Sequence, residues 1–328
     1  MGANTISPSK IRLINTPERG GLPVREVTLV EVGLRDGLQN ESRILSTADK
    51  KQLAERLIAA GVKELEITSF VHPRWIPQLS DAAELARSLP DRSDVRYRAL
   101  VPNRKGLERA LETPVDEFAV FLSASETHNR KNINKGIRET FPVLEEVVRA
   151  ALARGKRVRG YVSTVFGCPY EGEVPVANTA EICEGLLKMG VYEISLGDTI
   201  GVATPRQVKE KLKALAGTIP VERLAGHFHD TRGTALANAY VSLEMGITTL
   251  DSAFGGLGGC PYAPGAAGNV ATEDLVYMLE QEGIRTGIDL EALCEAGWLA
   301  EKLLGQRLPS KVLQSMAAHC QAKEGNRE

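Results

Sequence analysis

Cysteine is scarce in this chain. There are five, at positions 168, 183, 260, 294 and 320, and none forms a CxxC or CxxxC pair. A zinc–thiolate site or a disulfide framework therefore has no support, and a reducing, cytoplasmic setting is the simplest expectation. Long apolar runs are absent too. The stretch MGANTISPSKIRLINTPERGG has none of signal-peptide length, and no 18 consecutive apolar residues occur, so no membrane span is expected. Excess charge is missing: 40 Lys and Arg against 42 Asp and Glu leave a net charge of −2, which disfavours nucleic acid or an anionic membrane as the main partner. GxGxxG is also absent, since GGLGGCP carries Pro261 where the third glycine would stand. That removes the main sign of a dinucleotide-binding fold.

What is present is a strict alternation. Eight short, mostly apolar runs read as strands: 27–32, 64–68, 95–101, 117–123, 157–163, 192–197, 223–229 and 249–254. Their richness in Val, Ile and Leu suits a buried parallel sheet. Helical patterns separate them, at 46–61, 80–89, 103–111, 138–155, 176–190, 204–217 and 231–246, and a further one follows at 271–283. Ser46 is placed to cap the first helix and Gly61 to end it. Eight strand–helix units predict a (β/α)8 TIM barrel. The expected organisation is an N-terminal extension over 1–24, a catalytic barrel over 25–283, and C-terminal helices packed on it with a polar tail over 284–328.

Active sites of such barrels lie at the carboxyl ends of the strands. The strand exits offer Arg35 and Asp36, Glu66 and Ser69, Tyr161 and Ser163, Ser195 and Asp198, then His227, His229 and Asp230, and finally Cys260 and Asn269. In HFHD, His227 and His229 are two apart on a strand, so both point to one side and converge on a metal ion. The remaining ligands should be oxygens, from Asp36 and Asn269. Imidazoles with a carboxylate, an amide oxygen and waters suit Mg²⁺ or Mn²⁺, with Zn²⁺ less suited. Asp230 is a candidate for orienting a ligand histidine. Arg35 is suited to hold a substrate oxygen and to pair with Glu66 or Asp198. His72, His128 and His319, without a paired ligand, read as surface or structural, and Cys168, Cys183, Cys294 and Cys320 as packed or inert thiols.

Six segments carry a resemblance: VGLRDGLQNE (32–41), ITSFVHPRWIPQLSD (67–81), RGYVSTVFGCPYEGE (159–173), YEISLGDTIGVATP (192–205), HFHDTRGTALAN (227–238) and GLGGCPYAPGAAGNVATEDLVYML (256–279). Together, in order across roughly 25–315, they strongly resemble 3-hydroxy-3-methylglutaryl-CoA lyases, in the superfamily of metal-dependent lyases and Claisen synthases on TIM barrels. The resemblance implies cleavage of 3-hydroxy-3-methylglutaryl-CoA to acetyl-CoA and acetoacetate, chemistry of leucine degradation and ketone-body formation, with an acyl-CoA partner and a homodimer. It implies Asp36, His227, His229 and Asn269 as metal ligands, and Arg35, Glu66 and Asp198 as catalytic or supporting groups. Cys260 would be the acid/base cysteine of the last loop, and Gln39, Ser69, Asn132, Tyr161 and Ser195 would line the substrate pocket. Cys168, in the second GCPY, reads as structural.

The chain departs from the family pattern at Leu34, Ser42 and Arg232, where Pro, Lys and Tyr are common. Arg232 is expected to open the seventh helix and reach a substrate carboxylate, which would shift acyl specificity. A lyase for another 3-hydroxy-3-substituted acyl-CoA, such as citramalyl-CoA, is the alternative reading. A Claisen-condensing synthase fits less well, because too little chain follows the eighth helix for a usual regulatory region.

Overall fold

The computed structural model describes residues 24–259 and 268–325. Eight strands, β1 (Thr28–Glu31), β2 (Glu64–Ser69), β3 (Arg96–Leu100), β4 (Glu117–Ser123), β5 (Arg157–Ser163), β6 (Ile194–Asp198), β7 (Leu224–Phe228) and β8 (Thr249–Ser252), close in sequence order into one barrel. Every neighbouring pair is parallel, and β1 seals against β8 from Thr28 opposite Thr249 to Glu31 opposite Ser252. The expected TIM barrel is the observed fold.

Side chains alternate along each strand. Leu65, Ile67, Phe118, Val120, Leu122, Val158, Val162, Ile194 and Leu196 join the main core under the helices. The inward positions are unusual for a barrel centre: Glu66, Arg98, Glu117, Arg159 and Asp251 are all fully or almost fully buried. Toward the mouth, Leu100, Ala119 and Tyr161 form a separate small apolar cluster with Phe121 packed on it.

The outer ring comprises α1 (Thr47–Ala59), α2 (Ala82–Ser88), α3 (Arg104–Leu111), α4 (Glu126–Ile133), α5 (Ile137–Leu152), α6 (Val176–Met189), α7 (Pro205–Leu215), α8 (Ala235–Glu244) and α9 (Thr272–Gln281). Ser46 caps α1 in a reciprocal box with Asp49, and Gly61 follows it with φ +99°. Two elements escape the sequence pattern. One is α4, whose composition (ETHNRKNI) gives no apolar stripe; Ser125 caps it by accepting from the His128 amide. The other is a single π-helical turn, Gly33–Gly37, closed by the Gly37 amide donating to the Val32 carbonyl at 3.2 Å. The expected start of α8 moves as well: residues 231–234 form a turn, and the helix begins at Ala235. After α9, α10 (Leu290–Leu304) packs on α1 and on the turn Phe254–Gly256, while α11 (Lys311–Gly325) packs on α9 and α10. Among the described residues, no helix is long and apolar enough to cross a membrane.

Candidate active site

The carboxyl ends of the strands surround a cavity of about 680 Å³. On one side stand Arg35, Asp36, His227 and His229; on the other, Leu100, Phe121, Ile133 and Leu144. Gln39, Asn132, Tyr161 and Ser195 also line it, as does Trp75, whose side chain is left exposed at the rim.

The π-turn after β1 places Arg35 and Asp36 side by side. A turn that holds one extra residue per hydrogen-bonded loop is a recurrent device at functional sites. The Arg35 guanidinium pairs with Asp36 and reaches Glu66 Oε2 at 3.0 Å through Nη2. Glu66 Oε2 also accepts the Tyr161 hydroxyl at 2.7 Å. The register of β2 against β3 shifts between Glu66 and Thr68, an irregularity of the kind that re-aims side chains near active sites. Burial acts downward on Arg35, but Glu66 and then Asp36 outweigh it and hold the guanidinium firmly protonated. The Tyr161 ring lies between Arg35 and Arg159, at 5.4 and 5.0 Å from their guanidinium carbons. Burial, with Glu66 and Asp251 nearby, raises its hydroxyl well above the usual tyrosine range, so it stays a donor.

Asp36, His227 and His229 bring one ligand atom each within 4.8 Å of one another. Both imidazole Nε2 atoms face Asp36 Oδ2, at 4.0 Å from His227 and 3.8 Å from His229. Asn269 completes the group. Its Nδ2 donates to Asp36 Oδ2 at 2.9 Å and to the Leu257 carbonyl at 3.1 Å, which leaves its buried Oδ1 without a hydrogen-bond partner among the described residues. Two imidazole nitrogens, a carboxylate and an orphaned amide oxygen are a donor set that fits a divalent cation.

Burial would raise the Asp36 carboxyl, but Arg35 and the two imidazoles hold it well below the usual carboxylate range. Burial and the neighbouring His227 push His229 down to about 4, so it is a neutral donor at neutral pH. For His227 burial acts downward but is overcome by Asp251, so the imidazole is raised.

Asp251 is the residue that sequence reasoning missed. Its Oδ2 lies 3.1 Å from His227 Nδ1, fixing the ring with Nε2 toward Asp36. The same oxygen accepts Ser195 Oγ at 2.6 Å, and Oδ1 meets Arg159 Nη2 at 2.9 Å. The signal was present: Asp251 and Arg159 are charged residues in the middle of short strands, where the barrel buries them. Asp230, expected to orient a histidine, does not do so. Its Oδ1 accepts the Ala235 amide at 2.9 Å across the turn, at the start of α8, which occupies the carboxylate away from the imidazoles.

Other expected residues sit as follows. Asp198 is buried and its two oxygens accept the amides of Val202 and Ala203 at 2.9 and 3.0 Å, so it holds the loop after β6; the partners of Arg35 are Glu66 and Asp36. Ser69 is buried beneath the rim, where its hydroxyl accepts the Val71 amide at 3.3 Å. Arg232, in the turn before α8, donates through Nη1 to the carbonyls of Ile200 and Gly201 at 2.9 and 2.8 Å, and is not among the cavity residues. The expected reach to a substrate carboxylate therefore fails: those carbonyls draw the guanidinium to the neighbouring loop. His128, read as surface or structural, is buried and lines the cavity, brought there by α4. Cys168 is buried, with Sγ 3.0 Å from Ser125 Oγ.

Cys260 lies outside the described residues, but both ends of its loop are described. The Asn269 amide donates to the Leu257 carbonyl at 3.3 Å, and Asn40 Nδ2 donates to the Gly259 carbonyl at 2.8 Å. The ends approach so closely that a Cβ on Gly268 would lie 2.4 Å from the Gly256 carbonyl oxygen, and Gly258 takes φ +121°. Glycine is required at both positions.

The HMGL-like family profile matches residues 26–299. Hydroxymethylglutaryl-CoA lyase YngG of Bacillus subtilis is 53% identical over 291 residues, covering 88% of this chain and 97% of that protein. The solved structure of the Bacillus subtilis HMG-CoA lyase superimposes with a TM-score of 0.89 at 51% identity, over 91% of this chain and all of that one. An Acinetobacter baumannii HMG-CoA lyase, solved in complex with coenzyme A and 3-methylmalate, gives a TM-score of 0.85 at 40% identity, over 88% of this chain and 95% of that one.

Proposed function

The chain belongs to the HMGL-like family, and from that premise we propose that it is a hydroxymethylglutaryl-CoA lyase, cleaving 3-hydroxy-3-methylglutaryl-CoA to acetyl-CoA and acetoacetate with a divalent cation. The observation that carries this reading is the donor set at the mouth, in which Asp36, His227 and His229 converge beside the orphaned Oδ1 of Asn269. Mg²⁺ or Mn²⁺ is the proposed ion. When bound, the cation supplies acidity to the tertiary hydroxyl of the substrate.

The residues divide the remaining work. Transfer of the hydroxyl proton to a base at the mouth lets the bond between C2 and C3 break; C3 becomes the ketone of acetoacetate and C2 becomes the acetyl-CoA enolate. Arg35, kept charged and aimed by Glu66, holds the thioester oxygen on which that negative charge develops. Tyr161 fixes Glu66 from the opposite strand. Cys260 is the proposed donor of the proton that C2 takes up, from a loop whose ends meet beside Asn269. Gln39, Asn132 and Ser195 border the cavity, with Ser69 supporting the rim beneath; the apolar side wall suits the uncharged portion of an acyl-CoA.

We also propose a homodimer and a cytoplasmic location. Support for the location is the sparse cysteine content, with the described Cys168, Cys183 and Cys294 all free thiols. Incubation with a panel of hydroxyacyl-CoAs under Mg²⁺, Mn²⁺ or EDTA, read by mass spectrometry, tests the activity. Acetyl-CoA and acetoacetate should appear with either metal and vanish with EDTA; no cleavage under any metal would overturn the proposal.

A further inference from the structure

Glu31 ends β1 at only 1% exposure, and it is absent from the cavity wall. Its carboxylate nevertheless gathers donors from three separate segments of the rim. Oε1 accepts the Gly33 amide at 2.7 Å and the Phe254 amide at 3.1 Å; Oε2 accepts the Thr272 hydroxyl at 2.6 Å. Each segment carries part of the candidate site. Gly33 opens the π-turn with Arg35 and Asp36. Phe254 opens the turn that leads to Gly258, Gly259 and Cys260. Thr272 begins α9, three residues after Asn269.

The packing leaves no slack at this junction. A Cβ on Gly33 would stand 2.5 Å from the Phe254 ring and 2.7 Å from Glu31 Oε1. Glu273 braces the same turn from α9, both its oxygens accepting the Gly255 amide at 2.9 and 2.8 Å. Burying a carboxylate is costly unless it is fully hydrogen-bonded, and an apolar side chain of similar size would fill the space as well. What the carboxylate adds is direction, since backbone donors of segments distant in sequence are aimed at one group.

We infer that Glu31 is a positioning residue that fixes the spacing among the Arg35–Asp36 turn, the Phe254–Gly259 segment and Asn269, and so sets both cation affinity and turnover. The inference rests on the proposal that these segments hold a divalent cation. Two variants separate reach from the carboxyl group. Glu31→Gln keeps the reach, with an amide oxygen still able to accept from Gly33 and Phe254. Glu31→Asp keeps a carboxyl group but is one methylene short of three donors.

The readouts are Mn²⁺ calorimetry on metal-stripped protein, kcat and KM with 3-hydroxy-3-methylglutaryl-CoA, and thermal unfolding. On the scale typical of residues that orient metal ligands, Glu31→Asp should weaken Mn²⁺ binding about tenfold and lower kcat with KM nearly unchanged, while Glu31→Gln stays within about threefold. Glu31→Ala, which removes all three contacts, should weaken Mn²⁺ binding more than either. Equal Mn²⁺ affinity in folded Glu31→Asp and wild type, or equal loss in Asp and Gln, would overturn the inference. If the wild type cleaves no substrate but the order of Mn²⁺ affinities holds, the inference stands and the lyase assignment falls.

Discussion

Arg35 and Arg98 occupy opposite ends of one barrel, and both are buried against carboxylates. At the floor, Arg98 pairs with Glu117, reaches Glu64 Oε2 at 3.1 Å, and lies 3.3 Å from the Tyr192 hydroxyl. At the mouth, Arg35 pairs with Asp36 and Glu66. The floor cluster is sealed by β2, β3 and β4. The mouth cluster borders a cavity and sits beside Asn269 Oδ1, an acceptor with no partner among the described residues. Similar groups thus do different work according to which ends of the strands they occupy: the amino-terminal end of such a barrel serves stability and the carboxyl end serves chemistry.

Substitutions at the two ends should separate these roles. The largest effect on stability is expected at the floor. Arg98→Met leaves Glu117 buried without its main partner and should cost about 3–5 kcal/mol. Chemical denaturation should show that loss, while kcat per folded molecule changes little; a large fall in kcat at full folding would break the distinction. At the mouth, Arg35→Gln should lower kcat about 10²–10³-fold, the range for removing a group that stabilises a developing oxyanion. Its fold should persist by circular dichroism. Asp251→Asn lies between the two ends, and it should weaken Mn²⁺ binding about 10–100-fold by calorimetry, because His227 loses the carboxylate that orients it.

The smallest effect is a pH dependence at the rim. Burial raises Glu273 from 4.5 to about 8 and Glu31 to about 7. The native state therefore holds more protons than the unfolded chain between these values, and stability from these groups falls as pH rises through that window. Thermal unfolding of wild type should decline by a few degrees from about pH 5 to about pH 9, and Glu273→Gln should flatten that slope. An unchanged slope would contradict the burial argument.

Much of this was legible in the chain itself. Eight β-rich runs separated by helical patterns gave the barrel, because alternation is a repeated signal that survives boundary errors of a few residues. HFHD exposed the histidine pair, because a two-residue period is local. Asp251 was not legible in the same way: its importance comes from three side chains on β5, β6 and β7 that only barrel closure brings to it. The same holds for Glu31, whose partners are 2, 223 and 241 residues away. The π-turn lacks a hydrophobic period, and Arg232 was misplaced because α8 begins four residues later than its sequence suggests.

The proposed cation site lies at the mouth of the barrel and not at its floor. Mn²⁺ titration calorimetry on metal-stripped protein tests it most directly, comparing wild type with His229→Ala and Arg98→Met. The account predicts one ion per chain in wild type and in folded Arg98→Met, and no binding at that affinity in His229→Ala. Equal binding in wild type and His229→Ala would contradict it.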